Sequence, residues 1–240
     1  MEWTKGMKCW IISFINQKGG CGKSTLCMSI ASAISRRHRP DGVQYKVLVA
    51  SADPQGTVLR WSSAAPDDKP LPFPVINLNA SGDKVHRELK KFVDNYDFIL
   101  VDTPASVSTI PYSALLVSDL ALMPLIPSPP DLWSSFETKP VIDNVREINE
   151  DLQVRLVINR CQSNLNVSKE ILNIVDKLDM PVCHSKVSML TAFGEAAGAG
   201  TSIYDCKYET RRAAVLQIED LVDEVFEILG VEKEEVVNER

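Results

Sequence analysis

The stretch NQKGGCGKST, residues 16–25, decides the fold prediction because it has the composition of a loop that binds phosphate. Such a loop needs glycines that let backbone N–H groups approach phosphate oxygens, a lysine for the β- and γ-phosphates and a hydroxyl for Mg²⁺. Gly20, Gly22, Lys23 and Ser24 supply these groups. The sequence therefore predicts a nucleotide site at this position.

The neighbouring sequence gives this loop the setting that the motif requires. Residues 9–15 are an apolar run typical of a buried strand, and residues 24–38 carry apolar side chains at helical spacing. A helix N-terminus behind the loop adds a favourable field for anions. The loop is nevertheless a variant, because Gln17 replaces the first glycine of the strict pattern and Lys18 adds a lysine that ordinary loops lack.

Strand and helix patterns alternate along the rest of the chain, which predicts an α/β fold. We expect a doubly wound, mostly parallel sheet with helices on both faces, like that of P-loop NTPases, formed by a single domain that spans residues 1–240. Further strands are predicted at residues 45–50, 73–78, 98–101, 120–126, 154–158 and 181–187, and helices at residues 83–95, 167–178 and 213–229. The proline-rich residues 123–133 are predicted to form a rigid connection, and the charged end to fray.

Composition limits the possible partners and surroundings of the protein. The 240 residues are 45% hydrophobic and carry a net charge of −6, so any contact with nucleic acid requires a local basic patch. Six cysteines without a C-x-x-C pair predict free thiols in a reducing compartment. The start of the chain lacks signal-peptide features and no apolar run is long enough to span a bilayer, so we expect a cytoplasmic protein without membrane contact.

Two acidic residues stand where predicted strands end. Asp53 lies in SADPQGT (51–57), and Asp102 ends the apolar run in FILVDTPAS (98–106). The carboxyl ends of parallel strands are where ligands bind in such sheets, so both carboxylates are candidate site residues, and a carboxylate at the position of Asp102 is suited to hold the hydration shell of Mg²⁺. An Asp-Pro turn is the alternative interpretation of the first segment.

The loop K-G-G-x-G-K-[ST] resembles the deviant Walker A motif of the ParA/MinD group of ATPases, and the resemblance extends from Lys8 to about Leu229. The chain is most similar to small partition ATPases of the ParA type that lack an N-terminal helix-turn-helix domain. The resemblance implies ATP and Mg²⁺ as cofactors and a slow ATPase that forms a face-to-face homodimer with ATP. Lys18 would then reach the ATP of the partner subunit. The implied nucleotide-binding residues of the loop are Gly19, Gly20, Cys21, Gly22, Lys23, Ser24 and Thr25.

The same resemblance implies roles for residues outside the loop. Lys18, Lys23 and Asp53 would be catalytic, Asp53 by orienting the attacking water beside Mg²⁺. Ser24 would ligate Mg²⁺ and Asp102 would hold its water. Asn159 and Arg160, at the end of a predicted strand, would lie near adenine, although a polar strand end is an equally good interpretation.

Two positions depart from the family pattern or occupy a variable place in it. Ser51 replaces an aspartate, which puts Mg²⁺ affinity and turnover in question. Cys21 lies near lysines and a helix N-terminus, where a thiol should ionise readily and could be oxidised; a small space-filling residue is the alternative.

The resemblance also implies partners, namely non-specific DNA and a ParB-like adaptor, with nucleoid association where DNA is bound. Positions around Met189 and Ala192, where many ParA proteins carry DNA-binding arginines, are uncharged here. Basic residues that could compensate are Lys186, Lys207, Arg211 and Arg212. Three alternatives are considered. The acidic segment VEKEEVVNER argues against a MinD-like membrane ATPase, and the absence of a cysteine pair with ligand spacing argues against an iron-protein relative. A ligase of the dethiobiotin-synthetase type that acts without DNA stays open.

Overall fold

The computed structural model describes residues 8–106, 109–128, 135–162, 175–207 and 209–232. Within them, six strands form one sheet in the order β3-β2-β4-β1-β5-β6, and every pairing is parallel. The predicted α/β fold with a parallel sheet is confirmed. The strands are β1 Trp10–Phe14, β2 Val47–Ser51, β3 Val75–Asn77, β4 Phe98–Asp102, β5 Leu120–Leu125 and β6 Gln153–Ile158.

Helices connect these strands and cover both faces of the sheet, as predicted for a doubly wound fold. Strand residues alternate between the two faces, so that Ile12 and Phe14 pack on one side and Ile11 on the other. The described helices are α1 Lys23–Ile34, α2 Thr57–Ser63, α3 Val85–Lys90, α4 Thr109–Leu115, α5 Lys139–Arg146, α6 Thr191–Ala199 and α7 Arg211–Leu229. Short 3₁₀ helices occupy Asn79–Lys84 and Ile203–Asp205.

Burial explains which helix lies on which face. Apolar residues of α1, α2, α6 and α7 share one core with the even-numbered side of β1, whereas α3, α4 and α5 pack on the opposite side. The central strands β1, β2, β4 and β5 are buried on both faces and are near-continuous apolar runs, as is usual in parallel sheets, whereas the edge strand β3 is only half-buried. Among the described residues, no helix combines the length and apolar character needed to cross a membrane.

The predicted strand at residues 181–187 is wrong. This segment runs beside β6 and forms only isolated bridges, at Val182 and at Ser188. The backbone N–H groups of His184 and Ser185 donate hydrogen bonds to the carboxylate of Glu224 on α7, at 2.8 and 2.9 Å. These two N–H groups therefore cannot bond to a neighbouring strand. Side-chain capture of two N–H groups thus interrupts what would have been a seventh strand.

Other boundaries differ by a few residues from the sequence predictions. The helix predicted at residues 24–38 ends at Ile34, and the one predicted at 83–95 is divided between a 3₁₀ turn and the short α3. The helix predicted at residues 167–178 and the proline-rich connection lie largely or partly outside the described residues, as does the chain end after residue 232. Helix ends are the least sharply encoded features of a sequence.

The phosphate loop follows β1, the strand at which the strand order reverses from one edge of the sheet to the other. β1 lies between β4 and β5, so the chain leaves β1 toward one edge and returns to form β5 and β6 on the other side. In open parallel sheets the crevice outside the carboxyl ends of strands at such a point is where ligands bind. Residues 15–22 follow β1 and open α1 there.

Candidate nucleotide-binding site

Glycine is required at position 22 by conformation and by space. Gly22 has φ 98° in the left-handed region and forms the N-cap of α1. A Cβ atom added there would lie 2.2 Å from Nδ2 of Asn159. Gly20 is also left-handed, with φ 77°. The loop therefore requires glycines at these positions to keep its left-handed backbone conformation, as the motif predicted.

The side chain of Lys23 points into the phosphate loop. This side chain is buried, and Nζ donates to the carbonyl of Asn16 at 2.9 Å and to that of Lys18 at 3.3 Å. An ammonium group enclosed by the loop is positioned to meet phosphate oxygens that bind to the loop N–H groups. Lys18 itself is half-buried.

Asn16 and Gln17 support the loop and were not identified as functional by the sequence analysis. Asn16 accepts from the N–H of Lys18 through Oδ1 at 2.9 Å and donates through Nδ2 to the carbonyl of Pro124 at 2.8 Å. Gln17 donates through Nε2 to the carbonyl of Glu137 at 2.7 Å. The residue that replaces the first glycine thus ties the loop to the segment preceding α5.

Ser24 and Asp102 meet at the carboxyl end of β4. Ser24 Oγ donates to Oδ2 of Asp102 at 2.8 Å. Asp102 is fully buried, and its Oδ1 has no hydrogen-bond partner among the described residues. Burial raises the pKa of Asp102 to about 7, the Ser24 hydroxyl opposes that rise and the negative charge of Asp53 adds to it.

This arrangement fits a hydrated magnesium ion. An ion or its water beside Oδ1 would give the buried oxygen a partner and favour the ionised carboxylate. No cluster of three or more His, Cys, Asp or Glu side chains occurs among the described residues. Mg²⁺ characteristically relies on one or two protein groups together with waters and phosphate oxygens, so Ser24 and Asp102 are suitable ligands.

The segment after β2 carries Ser51 and Asp53. Ser51 lies opposite Asp102 in the register of β2 and β4, is fully buried, and has a hydroxyl oxygen without a partner among the described residues. Asp53 accepts from the N–H of Gln55 at 2.9 Å and lines the cavity beside the loop. The structure therefore brings Asp53 to the same cavity as the phosphate loop.

Asn159 and Arg160 hold the loop from the opposite side. Asn159 donates through Nδ2 to the carbonyl of Cys21, and a guanidinium nitrogen of Arg160 donates to the carbonyl of Gly20, each at 2.7 Å. Arg160 adopts φ 55°, a left-handed conformation that is uncommon for arginine. Both side chains also line the cavity, so these two candidate nucleotide-binding residues contact the loop and are accessible to a ligand in front of it.

The environment of Cys21 contradicts the prediction of an easily ionised thiol. Only 1% of the residue is exposed, and burial raises the pKa of its thiol although Lys23 partly opposes the shift. Desolvation outweighs the nearby cation. The alternative interpretation, a small residue that fills space in the loop, agrees with this burial.

A cavity of about 720 Å³ extends from the loop between α2 and α6. Sequence reasoning identified its loop residues but missed those contributed by the two helices, because no local motif marks them. Residues of these helices and their flanks that line the cavity are Gln55, Thr57, Arg60, Val187, Ser188, Met189, Leu190, Thr191, Phe193, Gly194 and Ala197.

The positions proposed to correspond to DNA-binding arginines have different environments. Met189 is exposed at the cavity, whereas Ala192 is fully buried and cannot contact DNA in this fold. The basic residues suggested as substitutes are all exposed, and they are Lys186, Lys207, Arg211 and Arg212.

A parallel α/β sheet with a glycine-rich loop between its central strand and a helix N-terminus defines a P-loop nucleotide-binding domain. The chain belongs to the family described as the CobQ/CobB/MinD/ParA nucleotide binding domain, which matches residues 12–203. This agrees with the ParA/MinD resemblance of the sequence motifs.

Individual relatives extend the comparison. The maintenance of carboxysome distribution protein A of Halothiobacillus neapolitanus is 29% identical over 220 residues, covering 91% of this chain and 97% of that protein. The chromosome partitioning protein ParA of Myxococcus xanthus is 22% identical, covering 73% and 75% of the two chains. Similar folds include an ATP complex of McdA from Cyanothece, with TM-score 0.69 and 15% identity over 95% of this chain and 99% of that one. MinD of Pyrococcus horikoshii with Mg-ADP has TM-score 0.68 and 20% identity, covering 93% and 98%.

Proposed function

We propose that the protein is a ParA-type ATPase that pairs face to face when it binds ATP and uses the ATP cycle to position a cargo. The observation that supports the proposal is the different setting of the two lysines of the loop: Lys23 is buried, whereas Lys18 is half-buried. Because Lys23 Nζ is held inside the loop by the carbonyls of Asn16 and Lys18, we assign it the phosphate-binding role within one subunit. Lys18 is then the lysine that reaches the partner's ATP.

Hydrolysis in this proposal depends on a few groups around the terminal phosphate. Lys23 and the loop N–H groups hold the β- and γ-phosphates, and Ser24 and Asp102 hold Mg²⁺ and its water. Mg²⁺, when bound, neutralises charge on the phosphate oxygens. Asp53 orients the attacking water, with its carboxylate fixed by the N–H of Gln55. Slow intrinsic turnover is expected, since a switch must keep its ATP state until a partner stimulates it.

Non-specific DNA is the proposed track and a ParB-like protein the proposed adaptor. The protein carries a net charge of −6, so DNA contact must come from a local patch. Lys207, Arg211 and Arg212 lie exposed around the start of α7 and could provide it. The near full-length similarity to a carboxysome distribution protein supports a large protein compartment as one possible cargo, beside plasmids and chromosomes.

A ligase without DNA is the second candidate. It is favoured by the family description, which includes CobQ and CobB, and by a fold similar to cobyrinic acid a,c-diamide synthase of Mycobacterium smegmatis with TM-score 0.65. Release of ADP that depends on a small carboxylic acid, without effect of DNA or adaptor, would favour this function over the first.

The proposal is tested by binding of the Asp53→Ala protein to random-sequence duplex DNA with ATP and with ADP across a salt series. We expect binding only with ATP, weakening as salt rises because phosphate contacts release counterions. A matched variant, Arg211→Ala with Arg212→Ala, should reduce the slope of this salt dependence, whereas Arg87→Ala on α3 should not. Absence of DNA binding in both nucleotide states, with dimers still formed, would remove DNA as the track.

A further inference from the structure

Arg60 faces the cavity that contains the phosphate loop. It lies on α2, which begins four residues after Asp53, and no sequence motif marks it. Among the residues that the structure describes, the charged side chains lining the cavity are Lys23, Arg60, Arg160 and Asp53, three cations and one anion. The cavity is thus positive although the chain carries a net charge of −6, and a polyanionic ligand is the complement of such a site.

The helix that carries Arg60 is firmly positioned. Trp61 is 4% exposed, and its indole N–H donates to the carbonyl of Thr201 at 2.9 Å. A Cβ atom at Gly200 would lie 2.2 Å from the backbone of Ala64, so the end of α6 and the end of α2 are in close backbone contact. Arg60 therefore extends into the cavity from a fixed support, as a site residue should.

Arg60 keeps donors for a ligand. Its guanidinium donates to the carbonyl of Gln55 in the turn before α2. None of the ion pairs recorded among the described residues includes Arg60. A guanidinium has five N–H donors arranged to match phosphate oxygens, so the contact with Gln55 leaves most of them available to an anion in the cavity.

The sheet order indicates which end of a nucleotide Arg60 would meet. Asp53 follows β2 and Asp102 ends β4, on one side of the loop, whereas Asn159 and Arg160 follow β6, on the other. In the proposed function the terminal phosphate lies on the Asp53 side and the base on the Asn159 side. Arg60 belongs to the helix that continues from Asp53, and its guanidinium donates to the carbonyl of Gln55, whose N–H bonds to Asp53, so it lies on the terminal-phosphate side.

We propose that Arg60 contacts the terminal phosphate of ATP and gives the site a preference for ATP over ADP. This inference rests on the proposed function, because it requires that ATP occupy the cavity. A charged hydrogen bond to a phosphate that ADP lacks strengthens ATP binding without strengthening ADP binding.

The test is titration calorimetry of ATP and ADP, with Mg²⁺, on the wild-type protein and on Arg60→Ala, Arg60→Lys, Arg87→Ala and Lys23→Ala. Arg60→Ala should weaken ATP binding about 10-fold or more and change ADP binding less than about twofold. Arg60→Lys should fall between, since lysine keeps the charge but not the fork of donors. Arg87→Ala, which removes an exposed arginine from another short helix, should match the wild type.

Unchanged ATP affinity in Arg60→Ala would overturn the inference, as would equal weakening of ATP and ADP. Thermal unfolding of each variant shows whether a loss of binding reflects a loss of folding. Lys23→Ala separates the two levels of the argument: if it abolishes ATP binding while Arg60→Ala does not alter it, only the inference on Arg60 fails. A wild-type protein that binds no ATP would overturn the proposed function and this inference together.

Discussion

Gly22 contributes to the phosphate loop through its conformation and packing, since it has no side chain that could contact a phosphate. Gly22→Ala should lower the free energy of unfolding by about 1–3 kcal/mol, because alanine resists the left-handed conformation and its Cβ would collide with Asn159. Nucleotide binding should be lost with it. Denaturant unfolding and nucleotide titration measure both effects.

Gly19→Ala is the matched control for this prediction. A Cβ atom at position 19 meets nothing within 4 Å, so its free energy of unfolding should stay within about 0.5 kcal/mol of the wild type. Equal stability of the two variants would contradict the packing of Asn159 against the loop.

Motif spacing predicts residues of the site that belong to a recognisable local motif, and misses supporting residues that no motif marks. Lys23, Ser24 and Asp102 could be named from the sequence because a phosphate loop and a strand-ending carboxylate carry their own signals. The support given by Asn16 and Gln17 could not, since their partners are Pro124 and Glu137, more than 100 residues away in the chain. Only the folded sheet brings these groups together.

At the scale of elements, the segment at residues 181–187 depends on Glu224 of α7. Partial burial would raise the pKa of this carboxylate, but the N–H groups of Ser185 and His184 bond to it and lower the pKa below its usual value. A carboxyl group with a lowered folded-state pKa contributes stability above its unfolded pKa, and this contribution is lost as pH falls through the folded pKa.

Glu224→Gln should therefore lower the melting temperature at pH 7 and have a smaller effect at an acidic pH below the folded-state pKa of Glu224, where the wild-type carboxyl group is protonated too. Asp220→Asn, an exposed site on the same helix, is the control and should show little change at either pH. A Glu224→Gln effect of equal size at both pH values would show that the ionised carboxylate contributes nothing through these bonds. Thermal unfolding followed by circular dichroism is sufficient.

Helix α6 forms one wall of the cavity through Gly194, whereas Gly198 on the same helix does not line it. Neither glycine has a heavy atom within 4 Å of an added Cβ, and both lie inside the helix, so leucine at either position should not destabilise the fold. Gly194→Leu should weaken nucleotide binding by intruding into the cavity, and Gly198→Leu should not. Identical nucleotide affinities for the two variants would contradict this assignment of the wall.

The central elements were largely predictable because β1, β2, β4 and β5 are apolar runs buried on both faces. The failure at residues 181–187 has a specific cause. That segment has the composition of a strand, but a glutamate more than 30 residues later takes two of its N–H groups. The periodicity of a segment predicts its local conformation, but it does not show whether a distant side chain will bond to the backbone N–H groups that a strand needs.

At the scale of the whole molecule, the strand order of the sheet brings motifs that are separate in the sequence together around one cavity whose charged side chains are mainly cations. Residues from the ends of β1, β2, β4 and β6, far apart in sequence, converge on the phosphate loop. The sequence predicted this convergence in outline, since ligands bind at the carboxyl ends of parallel strands. The contribution of α2 and α6 required the fold, because their positions follow from long-range contacts such as that between Trp61 and Thr201.

The central claim is that ATP binding and pairing of two subunits are one event, joined by Lys18. The most direct test is sedimentation velocity of the wild-type, Lys18→Ala and Lys90→Ala proteins with Mg²⁺ and either a non-hydrolysable ATP analogue or ADP. We expect wild type and the control Lys90→Ala to form dimers only with the analogue, and Lys18→Ala to bind the analogue yet remain monomeric. Normal dimers of Lys18→Ala, or pairing that does not depend on the nucleotide, would contradict the account.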